Sequence, residues 1–147
     1  MFLSINDGIL PTRKTRYSAG YDVCSNEDVI IEAGETKLVS LGIALDQEWI
    51  QKNTNETFRE QNYWGLHIRS SLALKGLIIG NSVGIIDIDY PDEIKLIIHN
   101  TTGEVKSISK KDRIAQLILH QHNGIKYLKN LFSIEENRIG GFGSTNK

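Results

Sequence analysis

An all-β sandwich or barrel is the fold class this sequence predicts, and three features predict it. Short runs rich in isoleucine, valine and leucine recur along the chain. Glycine is abundant, at 13 residues, while proline is scarce at 2, so tight turns separate the runs at short intervals. Several runs alternate apolar with polar residues, which is the period of a half-buried strand.

Taken in order, the expected strands are Val29–Glu32, Lys37–Leu45, Tyr63–Ile68, Leu77–Ile79, Val83–Ile88, Ile94–His99, Glu104–Ser109, Arg113–His120 and Lys126–Leu128. Little room is left for helices. Ser71-Leu72-Ala73-Leu74-Lys75, closed by Gly76, reads as one short helix with a glycine at its C-terminal end. Asp46–Asn62 is polar with isolated large apolar residues, the composition of a surface excursion that holds a helical turn between two strands.

The stretch Asn81 to Glu93, Asn-Ser-Val-Gly-Ile-Ile-Asp-Ile-Asp-Tyr-Pro-Asp-Glu, stands out chemically. The turn pair Gly80-Asn81 and then Gly84 suggest a hairpin, followed by a strand that Pro91 stops. Strand alternation puts Asp87 and Asp89 on one face and Ile86, Ile88 and Tyr90 on the other. A carboxylate within a run of isoleucines is costly unless it is paired or has a task, although an exposed strand end would explain it equally simply.

The tail, Arg138 to Lys147, carries an arginine, a phenylalanine among glycines, and Ser144-Thr145. Such a segment cannot bury enough surface to fold alone and is expected to be mobile until a ligand orders it. Its cation and hydroxyls suit phosphate oxygens, and its ring suits stacking. A β domain over residues 1–130, with an insertion at 46–62, and a mobile arm over 131–147 are therefore expected.

Composition narrows the function. The 147 residues suffice for one domain with a core of its own. A net charge of −1 offers no bulk attraction to nucleic acid or to an anionic membrane. The single cysteine, Cys24, excludes an intrachain disulfide framework and a cysteine-rich zinc site. No apolar run is long enough to span a bilayer and no secretory leader is visible, so a soluble, cytoplasmic protein is expected. The isoleucine, asparagine and lysine content points to an AT-rich genome, such as a viral or phage one.

Ala19-Gly20-Tyr21-Asp22-Val23, Arg69-Ser70-Ser71-Leu72-Ala73, the Asn81–Glu93 stretch, Asp112-Arg113-Ile114-Ala115-Gln116-Leu117 and the tail follow one another along the chain. In this order they resemble the five motifs of the homotrimeric dUTP nucleotidohydrolases, the dUTPases. Asp92, Lys111 and Asn146 stand where those motifs have glycine, and Arg138 lies one residue closer to Phe142 than usual. The resemblance spans Ala19 to Asn146. It implies a β jelly roll of the β-clip type that trimerises, with active sites shared between subunits, and hydrolysis of dUTP to dUMP and pyrophosphate.

The resemblance also implies roles. Asp87 would activate the water that attacks the α-phosphorus, while Asp89 would be structural or face solvent. Asn81 and the backbone at Gly84, Ile85 and Ile86 would read uracil, and Tyr90 would pack under the deoxyribose and exclude a 2′-hydroxyl. Lys95 would add a contact near base or sugar, and Phe142 would stack on the base. Arg69, Ser70, Ser71 and Gln116 would hold phosphates, and Arg138, Gly143, Ser144 and Thr145 would clamp the γ-phosphate as the arm closes. Mg²⁺, chelated mainly by the triphosphate, would meet Asp22 through water. Arg113 is expected to form a structural ion pair, and His67, His99, His120 and His122 are read as structural.

Two alternatives compete with this reading. A dCTP deaminase has the same fold, with Glu93 as its candidate base. A regulatory binding protein would use nucleotide as a switch and offer the 46–62 insertion to a protein partner.

Overall fold

The structure, a computed structural model, describes residues 1–123. Along those residues run β1 (Phe2–Ser4), β2 (Tyr21–Cys24), β3 (Val29–Ile31), β4 (Thr36–Leu45), α1 (Gln47–Asn53), α2 (Glu56–Gln61) and β5 (Asn62–Ile68). They are followed by α3 (Ser70–Ala73), β6 (Leu77–Ile79), β7 (Gly84–Asp87), β8 (Glu93–Asn100), β9 (Lys106–Ile108) and β10 (Arg113–Gln121). The strand expected at Lys126–Leu128 and the arm over 131–147 lie outside the described residues.

Two four-stranded sheets, in the orders β1-β4-β8-β6 and β2-β10-β5-β7, and a small β3–β9 pair make up an antiparallel β sandwich. β8 shows most clearly how the sequence builds it. Ile94, Leu96, Ile98 and Asn100 point inward while the residues between them are half-buried, as the two-residue strand period requires. Val39, Leu41 and Ile43 of β4 meet Trp64 and Leu66 of β5 and Ile114 and Leu117 of β10 in one apolar core.

Two strands were not anticipated. β1 is short and largely exposed, so no alternation marks it. β2 is buried along Asp22, Val23 and Cys24, so no polar face marks it either. The expected hairpin at Gly80-Asn81 is also not formed. β6 pairs with β8 in one sheet and β7 with β5 in the other, so the turn carries the chain across the sandwich instead of reversing it. At Gly84 an added Cβ would stand 3.2 Å from Leu66 Cβ, and the bare backbone lets β7 settle against β5.

The expected helix starts one residue earlier, as α3, with Leu74 as its C-cap, and the turn after it closes at Gly76, whose φ is +79° and whose N–H bonds the Ala73 carbonyl at 3.0 Å. The stretch 46–62 departs further from expectation. It forms two helices, capped by Asp46 onto the Trp49 N–H at 2.9 Å and by Asn55 onto the Phe58 N–H at 2.8 Å. It is not purely a surface feature, because Ile50 is 0% exposed and Phe58 packs on the core. Each short helix sends one large apolar residue inward, too few to register as a helical period. Burying Ile50 contributes roughly 1.5–3 kcal/mol, enough to hold a two-turn helix.

At the end of β8, Asn100 is fully buried and ties three segments together. Its amide nitrogen lies 3.1, 3.0 and 2.7 Å from the carbonyls of Ile31, Glu32 and Glu104, and its oxygen accepts from the Thr102 N–H and hydroxyl. Asn100→Ala strands these groups away from water and should cost about 3 kcal/mol of folding free energy. Urea unfolding measures it, and a loss within error of zero would show that water replaces the amide.

Candidate functional site

The residues expected to read base and sugar converge. Asn81, Gly84, Ile85, Ile86, Tyr90 and Lys95 line one pocket with Leu66 and Ile97, which the sequence reading did not single out. The crossing turn makes this possible. It brings the start of β7 against Leu66 of β5, while Lys95 and Ile97 face the same space from β8 of the opposite sheet.

Asp87 is the last residue of β7 and stands opposite Tyr63, the second residue of β5. There the ladder ends, and the Tyr90 N–H bonds to the Asp87 carbonyl at 3.1 Å in a tight turn. Burial still alternates through that turn, so Ile88 and Tyr90 point inward and Asp89 is exposed, as expected of it. From α1, the Gln47 side-chain amide reaches the carbonyls of Ile88 at 3.0 Å and Tyr90 at 3.1 Å. Gln47 belongs to no motif, and only its place in the fold reveals this contact.

The second cluster centres on Asp22, 6% exposed on β2. Arg113 Nη1 donates to its Oδ2 at 2.7 Å, Gln116 Nε2 donates to its Oδ1 at 2.9 Å, and Arg69 Nε lies 3.4 Å from Oδ1. Gln116 pairs with Asp22 in the β2–β10 ladder and with His67 in the β5–β10 ladder. An added Cβ at Gly20 would sit 3.1 Å from Gln116 Cβ, so the glycine leaves that side chain its place. Arg69 is the N-cap residue of α3, and Ser70 and Ser71 are exposed in its first turn. One buried acid thus organises two of the groups expected to hold phosphates, and the ion pair expected of Arg113 is formed.

Burial pushes the Asp22 carboxyl up, but hydrogen bonds from Gln116 and Arg113 and the charges of Arg69 and Arg113 outweigh it, and the group titrates below its ordinary value. An acid whose pKa falls on folding adds stability above its unfolded value, near 4, and loses it as pH drops through the folded value. Asp22→Asn should therefore be less stable than wild type at neutral pH, with the gap narrowing below about pH 4. Urea titrations across pH measure that gap, and a gap that ignores pH would remove the charge from the account.

Within one chain the two clusters stand apart. Asp87 faces Tyr63 at the start of β5, and Arg69 follows its end. The six residue steps from Tyr63 to Arg69 span about 20 Å of strand. Three of the histidines make contacts with neighbouring side chains. His67 and His120 bring their Nε2 atoms to 3.2 Å across Gly65, His120 stacks on Tyr63, and His99 Nδ1 bonds the Thr36 hydroxyl at 2.9 Å. Burial and the neighbouring His120 hold the His67 imidazole below the usual histidine range. Glu93, the candidate base of a deaminase, is engaged elsewhere. Its Oε1 accepts the Gly42 N–H at 3.0 Å and the Ser40 hydroxyl at the β4 bulge, and its Oε2 lies 3.7 Å from Lys95 Nζ. Arg138, Phe142, Gly143, Ser144 and Thr145 lie outside the described residues.

A family model for dUTPase matches residues 6–54 and 61–146. The chain is 36% identical over 143 residues to a deoxyuridine 5′-triphosphate nucleotidohydrolase of Nautilia profundicola, covering 96% of this chain and 93% of that one. It is 39% identical over 142 residues to the corresponding protein of Rickettsia akari, covering 94% and 88%. Among solved structures, a dUTPase from Streptococcus mutans superposes with a TM-score of 0.67 at 30% identity, over 82% of this chain and 94% of that one. Sequence and fold agree: this chain belongs to the dUTPase family.

Proposed function

We propose that the protein hydrolyses dUTP to dUMP and pyrophosphate, with Asp87 as the base that activates the attacking water. The observation that carries this reading is the single pocket formed by Asn81, Gly84, Ile85, Ile86, Tyr90 and Lys95, beside the strand that ends on Asp87. Backbone amides at the start of β7 pair with a uracil edge as another strand would. The inward Tyr90 ring lies flat under a deoxyribose and leaves no space for a 2′-hydroxyl. A site built to pair with specific polar edges rejects a mismatched base by about 10⁴-fold, because its own groups are left unpaired.

In the chemical step, the water oxygen bonds to the α-phosphorus as its proton passes to the Asp87 carboxylate. The bond from the α-phosphorus to the bridging oxygen breaks, and pyrophosphate leaves with that electron pair. Arg69, Ser70, Ser71 and Gln116 hold the charged oxygens in line. Arg138, Gly143, Ser144 and Thr145 would clamp the γ-phosphate and Phe142 would cover the base.

The donor set suits Mg²⁺ carried by the triphosphate. Among the described residues no three histidines, cysteines or acids gather as ligands, and both oxygens of Asp22 already accept hydrogen bonds. Asp22 would then meet the ion through water, in keeping with magnesium's reluctance to shed its hydration shell. When bound, the ion neutralises charge on the phosphate oxygens.

The separation of Asp87 from Arg69 supports a site shared between copies of the chain. A strand's length between them leaves one copy unable to close both on a single α-phosphate, so a symmetric oligomer, a trimer by resemblance, supplies the second half. An assay resolving orthophosphate from pyrophosphate, run with dUTP, dCTP, dTTP and UTP in Mg²⁺, tests the reading. Pyrophosphate from dUTP alone is expected. Ammonia from dCTP would make the protein a deaminase, and nucleotide binding without turnover would make it a sensor.

A further inference from the structure

We propose that Gln47 is a positioning residue for the active-site turn, and that helices α1 and α2 form an internal brace that holds it in place. This inference rests on the role proposed above for Asp87 and Tyr90.

The need for a brace follows from the topology. The β5–β7 ladder ends at the Asp87–Tyr63 pair, and the next strand starts only at Glu93. Between them the backbone has no strand neighbour, yet Asp87 and Tyr90 have to keep their relative placement to serve one nucleotide. The turn bond from the Tyr90 N–H to the Asp87 carbonyl closes one side. The Gln47 amide closes the other by bridging the carbonyls on either side of Asp89, at 3.0 and 3.1 Å. Both hydrogens of one side-chain amide are thereby used on the segment that carries the proposed base and the sugar-facing ring.

Gln47 is itself fixed. It opens α1, whose N-cap Asp46 also donates its backbone N–H to the Met1 carbonyl at 2.9 Å. One turn later Ile50 is fully buried. At the far end the Thr54 N–H and hydroxyl return to the Ile50 carbonyl, and Arg59 of α2 donates to the Thr54 carbonyl at 2.7 Å. α2 is anchored in turn by Phe58 and by Asn62, whose amide donates to the Phe58 carbonyl at 2.8 Å. The brace therefore runs from the core through both helices to the turn. Its second helix overlaps residues 55–60, which lie outside the family match.

The test compares Gln47→Met, which keeps the shape without donors, with Gln47→Glu, which offers only acceptors to two carbonyls, and Gln47→Lys, which restores a donor. Displacing a base by a fraction of an ångström costs catalysis steeply, so Gln47→Met should lower kcat for dUTP by roughly tenfold or more. The preference for dUTP over UTP should fall with it, because Tyr90 moves as well. Gln47→Glu should be worse, and Gln47→Lys should recover part of the loss. Amide hydrogen exchange gives a readout independent of activity, and the Tyr90 N–H should exchange roughly tenfold faster in Gln47→Met. Wild-type exchange at Tyr90 in Gln47→Met overturns the brace, whether or not the protein hydrolyses dUTP. Faster exchange with kcat and sugar preference unchanged overturns the positioning role. An inactive wild type would instead count against the proposed function, and the exchange arm would still decide on the brace.

Discussion

Asp87→Asn is expected to stop pyrophosphate release from dUTP while leaving the nucleotide bound. The substitution keeps the side chain's size and removes its capacity to accept the proton of the attacking water. General-base assistance of this kind is worth about 10²–10⁴ in rate, so kcat should fall by at least a hundredfold. Binding should change little, because the pocket is lined by Asn81, Gly84, Ile85, Ile86, Tyr90 and Lys95 and not by Asp87. Fold stability should be similar as well, since Asp87 is only half-buried at a strand end. Single-turnover hydrolysis and calorimetric titration with dUTP measure the two quantities separately. A kcat within tenfold of wild type would mean that the water is activated elsewhere, and a matching loss of affinity would make Asp87 a binding group.

How much of this was legible in the sequence depends on whether the signal is local. β8 could be read because burial on one face writes itself as alternation, and α3 because Gly76, with φ +79°, closes the turn just after the helix. Asn81, Gly84, Ile85, Ile86 and Tyr90 of the pocket and the residues of the Asp22 cluster could be read because each belongs to a motif, whereas Leu66 and Ile97 belong to none. Elements that depend on distant partners were not legible. β2 is buried along most of its length, so its pattern does not separate strand from loop. The turn after β6 looks like a hairpin locally, but β5 and β8 on opposite sheets compete for its two arms and win. Gln47 carries no local signal at all, since an amide in a polar stretch becomes informative only when two carbonyls from residues 88 and 90 stand in front of it.

The separation of the two clusters leads to the sharpest test of how the site is assembled. Asp87→Asn removes the proposed base, and Arg69→Ala removes the arginine proposed to hold phosphate, which Asp22 engages at the other end of β5. Each variant alone should be nearly inactive. If every site takes Asp87 from one copy and Arg69 from the next, mixing the two variants and letting subunits exchange creates some sites with both groups intact. With equal amounts and random assembly, one position is intact in half the cases and the other in half. Activity should therefore recover to roughly a quarter of wild type in a symmetric ring. No recovery after demonstrated exchange would place both groups of each site in one chain, and the turn and α3 would then have to approach each other along the length of β5. Recovery would fix the site at the junction between copies, where the two ends of that strand come from different subunits and meet around one triphosphate.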